Sequence, residues 1–419
     1  MKLKKLVLAG LASVAVLTVA SCGPTEVVDD EKPNVSTNGT KTYRIANTVS
    51  PSNWNEMSAH DANDDLIKGY IGSSFFTFDY KFDADGNIVD GDFDVKYEAA
   101  TKLEDVTKTY ATNDNYLIPD DAKTGYAYKI TLREDLKWDD GTPIKADDFV
   151  YSMKEQLNPD FLHYRANSYY KGSTVIHNAE NYVKQGQDTT ASPQTAVNNE
   201  GLTLEGFLEN YGDKKSYVNW AYSFGKVYEN GAWKDATAAD NKVVDSKLTV
   251  RELYDLWHTV SDFTPEQADE FFLGEASIDY KFPEMTFDKV GLFKGATDYE
   301  LVIVLDAQLE LLDANGNLTF KAAYNMNSLP LAKKELFEAN KVRPAEGSTL
   351  WTSKYCSSVE STASWGPYKL TEFQPGKSYK LEKNENWFGY SLPENEGLYQ
   401  TDVIVGETIK EFETRKMKF

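Results

Sequence analysis

Four histidines, two cysteines and 66 carboxylates are the side chains of this sequence with chemistry to offer. His60, His163, His177 and His258 stand far apart; none sits in an H-E-x-x-H pattern or at zinc-site spacing with a cysteine. No G-x-S-x-G elbow, phosphate loop or G-x-G-x-x-G turn is present. So many carboxylates produce acidic pairs by chance, and no general acid–base pair stands out from them. Catalysis is therefore not expected. Two stretches, Asp83-Ala84-Asp85-Gly86-Asn87 and Asp313-Ala314-Asn315-Gly316-Asn317, begin like calcium loops. Such a loop needs glycine at its sixth position. The sixth residues here are Ile88 and Leu318, with glycine fourth, so both read as hairpin turns. No metal and no cofactor are expected.

The cysteines differ in setting. The chain opens MKLKKLVLAGLASVAVLTVASC: three lysines, about 16 apolar or small residues, then Val19-Ala20-Ser21-Cys22. The apolar run is shorter than the roughly 20 residues a spanning helix needs, and a short run behind a basic start reads as a secretory signal. Small residues before a cysteine resemble the lipobox of bacterial lipoproteins, in which the cysteine is lipidated and becomes the N-terminus. Residues 1–21 are thus expected to be a signal peptide and Cys22 the lipidation site, with the protein anchored to the outer face of a cell membrane. Cys356 then has no partner, and a lone thiol reads as a small core residue.

Composition sets further bounds. The chain carries 44 basic and 66 acidic residues, a net charge of −22. Losing Lys2, Lys4 and Lys5 with the leader takes it to about −25. Such a chain repels nucleic acid and anionic lipid, so no nucleic-acid partner is expected. Hydrophobic content of 41% with 13% aromatic residues is enough for a sizeable core. The length suggests about two or three domains.

Several elements must position any site. Residues 22–42 are polar, without apolar period, and read as a disordered tether, of which residues 23–42 alone reach roughly 66 Å at about 3.3 Å per residue. Tyr43–Ala46 alternates like a strand, and 62–71 reads as a helix. Phe75, Phe76 and Phe78 begin an aromatic strand. Residues 126–133 alternate, with Tyr128, Ile130 and Leu132 on one face. Residues 190–285 are rich in Glu, Asp, Lys and Leu and read as a mainly helical insertion, with Leu253, Leu256 and Trp257 in helical period. Residues 299–305 form a strand. Residues 367–373 and 378–383 form a strand pair joined by Gln374-Pro375-Gly376-Lys377.

One segment stands out: YKITLREDLKWDDGTPIKADDFVYSMKEQLNP, residues 128–159. A strand ends in Leu136-Lys137-Trp138, Asp139-Asp140-Gly141 turns, and Pro143 stiffens the exit. A helix follows, with Asp147 and Asp148 in its first turn, where the dipole favours acids. Phe149, Val150, Met153 and Leu157 share its buried face. This pattern resembles the signature of extracellular solute-binding proteins of the oligopeptide- and dipeptide-binding family, the receptors of ABC importers. Trp138, Asp140, Gly141, Pro143, Ala146, Asp148, Phe149, Val150, Tyr151 and Ser152 match it. Lys145 departs from it, standing where the family usually has a helix-capping threonine. Residues 175–183, 290–305 and 364–390 resemble three later family segments in the same order, and the resemblance covers 43–405 apart from the insertion.

The resemblance implies a periplasmic-binding-protein-like (class II) α/β fold of two lobes and a smaller domain. It divides the chain into first lobe at 43–75, accessory domain with the insertion at 76–305, and first lobe again at 306–419. The family's second lobe follows the Gly-Pro-Tyr region, so it is expected to be mostly or wholly missing. A chain of residues 22–419 is accordingly expected to bind solute weakly or not at all. The implied role is capture of oligopeptides, or of another small solute such as an oligosaccharide, for an ABC permease. A surface adhesion role is the reading from a different class. Ser58, His60 and Asp61 occupy a loop that lines the family's cleft, and Tyr169, with Tyr170 beside it, corresponds to a cleft tyrosine.

Overall fold

A computed structural model describes residues 39–418 except 114, 261 and 262. The expected signal peptide, Cys22 and nearly all of the tether lie outside the described residues.

Three four-stranded sheets organise the chain. The first has the order Thr42–Asn47, Val403–Thr408, Ser378–Lys383, Tyr368–Gln374. Its first pair is parallel, with Thr42 opposite Val403; the others are antiparallel. It therefore brings together residues about 360 apart in sequence. Trp54, Ile67, Tyr379, Leu381 and Ile404 fill the core beneath it. Cys356 is buried there, and burial pushes its thiol up to about 12, as suits a core residue. The helical stretch at 62–71 is a 3-10 turn, Ala62–Asp64, continuing into the helix Asp65–Ile71. Behind it Trp365 and Gly366 both donate to the Ile71 carbonyl at 2.9 Å. Gly366 approaches the Gly72 backbone so closely that a Cβ would collide with it.

The second sheet is antiparallel, in the order Leu292–Lys294, Glu300–Val304, Ala127–Leu132, Ala100–Asp105. Tyr128, Ile130 and Leu132 are buried on one face as their alternation predicts, against the helix Ala146–Gln156. Phe149, Met153 and Leu157 are buried with them. Without a capping threonine, this helix starts on the Lys145 N–H bonding the Asp148 carboxylate at 2.8 Å. Leu136-Lys137-Trp138 is not a full strand end. A short ladder centred on Lys137 and Pro143 spans the turn, with the Trp138 N–H on the Thr142 carbonyl at 2.9 Å and the Ile144 N–H on the Leu136 carbonyl at 3.0 Å, and Gly141 has φ +87°. Trp138 is buried beneath it.

The stretch read as a mainly helical insertion is mixed. Its helices Pro193–Glu200, Leu204–Tyr211, Val250–Trp257 and Pro265–Glu275 pack on a sheet ordered Val244–Thr249, Lys215–Val218, Ser277–Lys281, Asp188–Ala191. Phe207, Leu253, Trp257, Phe272 and Ile278 form a core of its own. The helical period at Leu253 and Trp257 holds. The strands run four to six residues and carry lysines and aspartates, which hid their alternation.

The two glycine-bearing acidic stretches are turns. Asp83 Oδ1 accepts the Asp85 and Asn87 N–H at 2.9 and 2.8 Å, closing the hairpin between Phe76–Phe82 and Ile88–Tyr97. Asp313 does the same for Asn315 and Asn317. In each case the first carboxylate is occupied by its own turn.

Candidate functional site

The loop between the first strand and the first helix is built as a sequence of side-chain caps. Asp64, buried, accepts the Ser52 and Asn53 N–H at 2.9 and 3.0 Å. Asn53 Oδ1 accepts the Asn55 N–H at 3.1 Å, and Asn55 Oδ1 the Met57 N–H at 3.1 Å. The Trp54 N–H donates to the Cys356 carbonyl and its indole N–H to Thr362. A loop tied at so many points holds its remaining side chains in fixed positions.

One of these is Glu56, which faces a cavity of about 240 Å³. The other walls come from Lys68 on the first helix, Arg165 and Tyr169 around the 3-10 turn Ala166–Tyr169, Thr174, and residues 325–329 behind the helix Phe320–Asn325. Two contacts lock the walls together. Arg165 Nε donates to the Ala59 carbonyl at 3.0 Å, and Thr174 Oγ1 to the Asn325 carbonyl at 3.0 Å. Burial pushes the Glu56 carboxyl up to about 7, against the opposing pull of Lys68, the Leu331 N–H and Arg165. Burial also raises the Tyr169 phenol well above its usual range, with the Glu56 charge acting in the same direction. The cavity thus holds two cations, one acid that is half-protonated near neutrality, a phenol, and the amides and hydroxyl of Asn325, Asn327 and Ser328.

Of the residues singled out from sequence, the fold brings Tyr169 into this wall and leaves the others outside it. The Ser58 hydroxyl accepts from Asn53 Nδ2 at 3.1 Å. His60 is exposed, its ring 5.8 Å from that of Tyr164. Asp61 caps the 3-10 turn through the Asn63 N–H and side-chain amide, at 2.8 and 2.7 Å, and these bonds hold its carboxyl below the usual range. Tyr170 packs on the second sheet's core beneath Lys171 and Lys184. Glu56, Lys68 and Arg165 were missed. Glu56 lies two residues from Ser58 in the same loop, which is the one signal that could have found it.

A His–Asp pair with its histidine buried and its aspartate partly exposed lies elsewhere. His177 Nδ1 is 2.6 Å from Asp306 Oδ1, while Nε2 faces the Asn178 amide at 2.9 Å. Among the described residues no serine or cysteine stands at that second nitrogen, which meets the Asn178 amide instead of the nucleophile of a catalytic triad. The backbone bonds flanking it, His177 to Val304 and Asp306 to Val175, join the second sheet to the segment leading into the helix Ala179–Lys184.

No helix among the described residues is long and apolar enough to cross a membrane. Residues 112–244 match the family of bacterial extracellular solute-binding proteins, family 5 Middle. The matched span runs into the stretch read as an insertion. A dipeptide-binding protein of Lactococcus lactis subsp. cremoris is 33% identical over 91 residues, which is 21% of this chain and 14% of that protein. Among solved structures, the substrate-binding domain of an oligopeptide ABC transporter from Bacillus anthracis overlaps 90% of this chain and 42% of its own, at 14% identity and a TM-score of 0.45. Listeria monocytogenes OppA bound to peptide overlaps 90% and 44%, at 12% identity and a TM-score of 0.44. The chain thus spans less than half the length of these solved relatives.

Proposed function

From the premise that this chain belongs to the family 5 extracellular solute-binding proteins, we propose that it is the substrate-binding lipoprotein of an ABC importer, capturing oligopeptides outside the cell for a membrane permease. The observation that carries the reading is the cavity bounded by Glu56, Lys68, Arg165 and Tyr169. A peptide carries an ammonium at one end and a carboxylate at the other. A wall with one acid, the cation Arg165 tied to the Ala59 carbonyl, the cation Lys68 held by Asp65 at 2.8 Å, and several amide and hydroxyl groups offers partners to both ends and to the peptide bonds between. Tyr169 is the one aromatic residue among those lining that cavity, so the cavity itself offers no pair of stacking faces of the kind that would favour an oligosaccharide. The reading assigns no catalytic step: the cavity holds no activated nucleophile, and the His177–Asp306 pair ties two segments together.

The sequence around Cys22 supports the membrane half of the proposal. A diacylglycerol on Cys22 supplies two acyl chains, enough for stable attachment where one chain gives marginal attachment. The tether keeps the cavity close to the permease and so raises its local concentration there. The test is mass spectrometry of the mature N-terminus together with a Cys22→Ala variant. The proposal expects a diacylated Cys22 and release of the variant from the membrane fraction. An unmodified Cys22, or a variant that stays with the membrane, refutes the anchor.

A further inference from the structure

The hairpin formed by Phe76–Phe82 and Ile88–Tyr97 departs from the usual half-buried design. Side chains alternate across a strand pair. Phe76 and Tyr97, at its base, reach the core, and the face then continues outward through Phe78, Tyr80 and Phe82 on one strand and Phe93 on the other. Phe78, Tyr80 and Phe82 are 43, 59 and 52% exposed. Phe320, from the short helix behind, stacks on Phe93 with ring centroids 4.4 Å apart and meets Phe78 at 5.0 Å; Tyr324 extends the row and is 70% exposed. A contiguous aromatic surface of this kind on a folded protein marks an interaction site. Among the described residues neither outer edge of the hairpin pairs with another strand, so both present unpaired backbone groups.

The other face says what kind of partner fits. Residues 76–97 contain six aspartates and two lysines; Asp79, Asp92 and Asp94 share this face with Lys81 and Lys96, while Asp83, Asp85 and Asp90 lie at or beside the turn end of the hairpin. Lys81 is paired with Asp92 at 2.7 Å and Lys96 with Asp79 at 3.0 Å. Asp79 stands directly opposite Asp94, a like-charge cross-strand pair, and Asp94 has no cationic partner among the described residues. A strand of alternating apolar and cationic residues laid along the hairpin edge would continue the aromatic face with one set of side chains and meet this negative excess with the other. Zwitterionic or anionic lipid would meet the aromatic side chains but leave those carboxylates uncompensated. A second copy would bring a second negative strip against the first.

We propose that this hairpin is a docking strip for a cationic polypeptide, which adds to it as a β-strand, aromatic face to apolar face. The site is separate from the cavity at Glu56 and uses none of its residues.

The test uses the full chain and a fluorescein-labelled peptide amide of eight alternating lysines and leucines as probe, read by anisotropy. Saturable binding is expected. It falls at least tenfold in a Phe78→Ser/Tyr80→Ser double variant with an unchanged thermal transition, and at least tenfold when serine replaces lysine in the probe. It weakens in Asp94→Asn and at raised salt, and a large excess of trialanine does not displace it. Equal binding to the double variant, equal binding of the serine peptide, or displacement by trialanine overturns the proposal. So does uptake onto phosphatidylcholine vesicles through Phe78 and Tyr80, or a concentration-dependent dimer that the double variant abolishes; these would assign the surface to lipid or to a second copy.

Discussion

Replacing Glu56 by glutamine should change how stability depends on pH, with a sign and size that follow from the cavity. Burial lifts the folded-state pKa of Glu56 from the ordinary 4.5 to about 7, so between these values the folded chain holds a proton that the unfolded chain releases. The resulting stabilisation is fully present below about pH 4.5 and is lost as pH rises through 7. Moving from 4.5 to about 7, at about 1.36 kcal/mol per pH unit, gives about 3 kcal/mol. Glutamine keeps a carbonyl to accept the Leu331 N–H and has no charge to desolvate. Glu56→Gln should therefore be close to wild type at pH 5 and more stable by about 3 kcal/mol at pH 8. Glu98, which burial also raises to about 7 against bonds from the Ser74 N–H and the Ser73 hydroxyl, contributes a slope of the same sign. That part survives in the Glu56 variant and should vanish in Glu98→Gln. Urea denaturation followed by tryptophan fluorescence at pH 5, 6, 7 and 8 measures both. Parallel wild-type and Glu56→Gln profiles across that range would refute the reasoning, because they would mean that Glu56 titrates as in water.

Two further outcomes are expected. Lys341 sits 3.1 Å from the buried Glu155 carboxylate, to which Asn158 Nδ2 also donates at 3.3 Å. Lys341→Met strands that charge and should cost about 3–5 kcal/mol in urea denaturation, most of it restored by adding Glu155→Gln; a loss below about 1 kcal/mol would contradict this. The stretch with its own core closes at its base through Gly186 to Phe282 and Phe282 to Gln187 backbone bonds. Residues 186–283 expressed alone should give one cooperative thermal transition by circular dichroism; a flat, non-cooperative melt would show that the core depends on the rest of the chain.

The parts of the fold legible in the sequence were those decided within a few residues. Alternation at Tyr128, Ile130 and Leu132, the helix after Pro143, and the turns at Gly86 and Gly316 each follow from local sterics and period. The strand Val403–Thr408 was not seen: it is six residues long, and its parallel partner Thr42–Asn47 lies at the other end of the chain. The strands within 190–285 were hidden by charged residues at their exposed positions. The candidate cavity was legible only at Tyr169. Its charged groups come from a loop, a helix and a 3-10 turn spread over more than a hundred residues, and none is distinguishable in sequence from a solvated Glu, Lys or Arg. Asp61, singled out by its place in a loop resembling the family's cleft lining, caps the turn that follows it through its side chain.

The central claim is that the surface around Glu56, Lys68, Arg165 and Tyr169 meets a peptide. Amide chemical-shift mapping with tri- to pentapeptides at millimolar concentration tests it most directly, because it registers weak contacts and locates them. The expected result is a set of saturable shifts at residues 54–61, 165–169 and 325–329, reduced at least tenfold in apparent affinity by Arg165→Ala and absent with oligosaccharides of similar size. Shifts confined to other surfaces, or no saturable shift with any peptide, would contradict the claim.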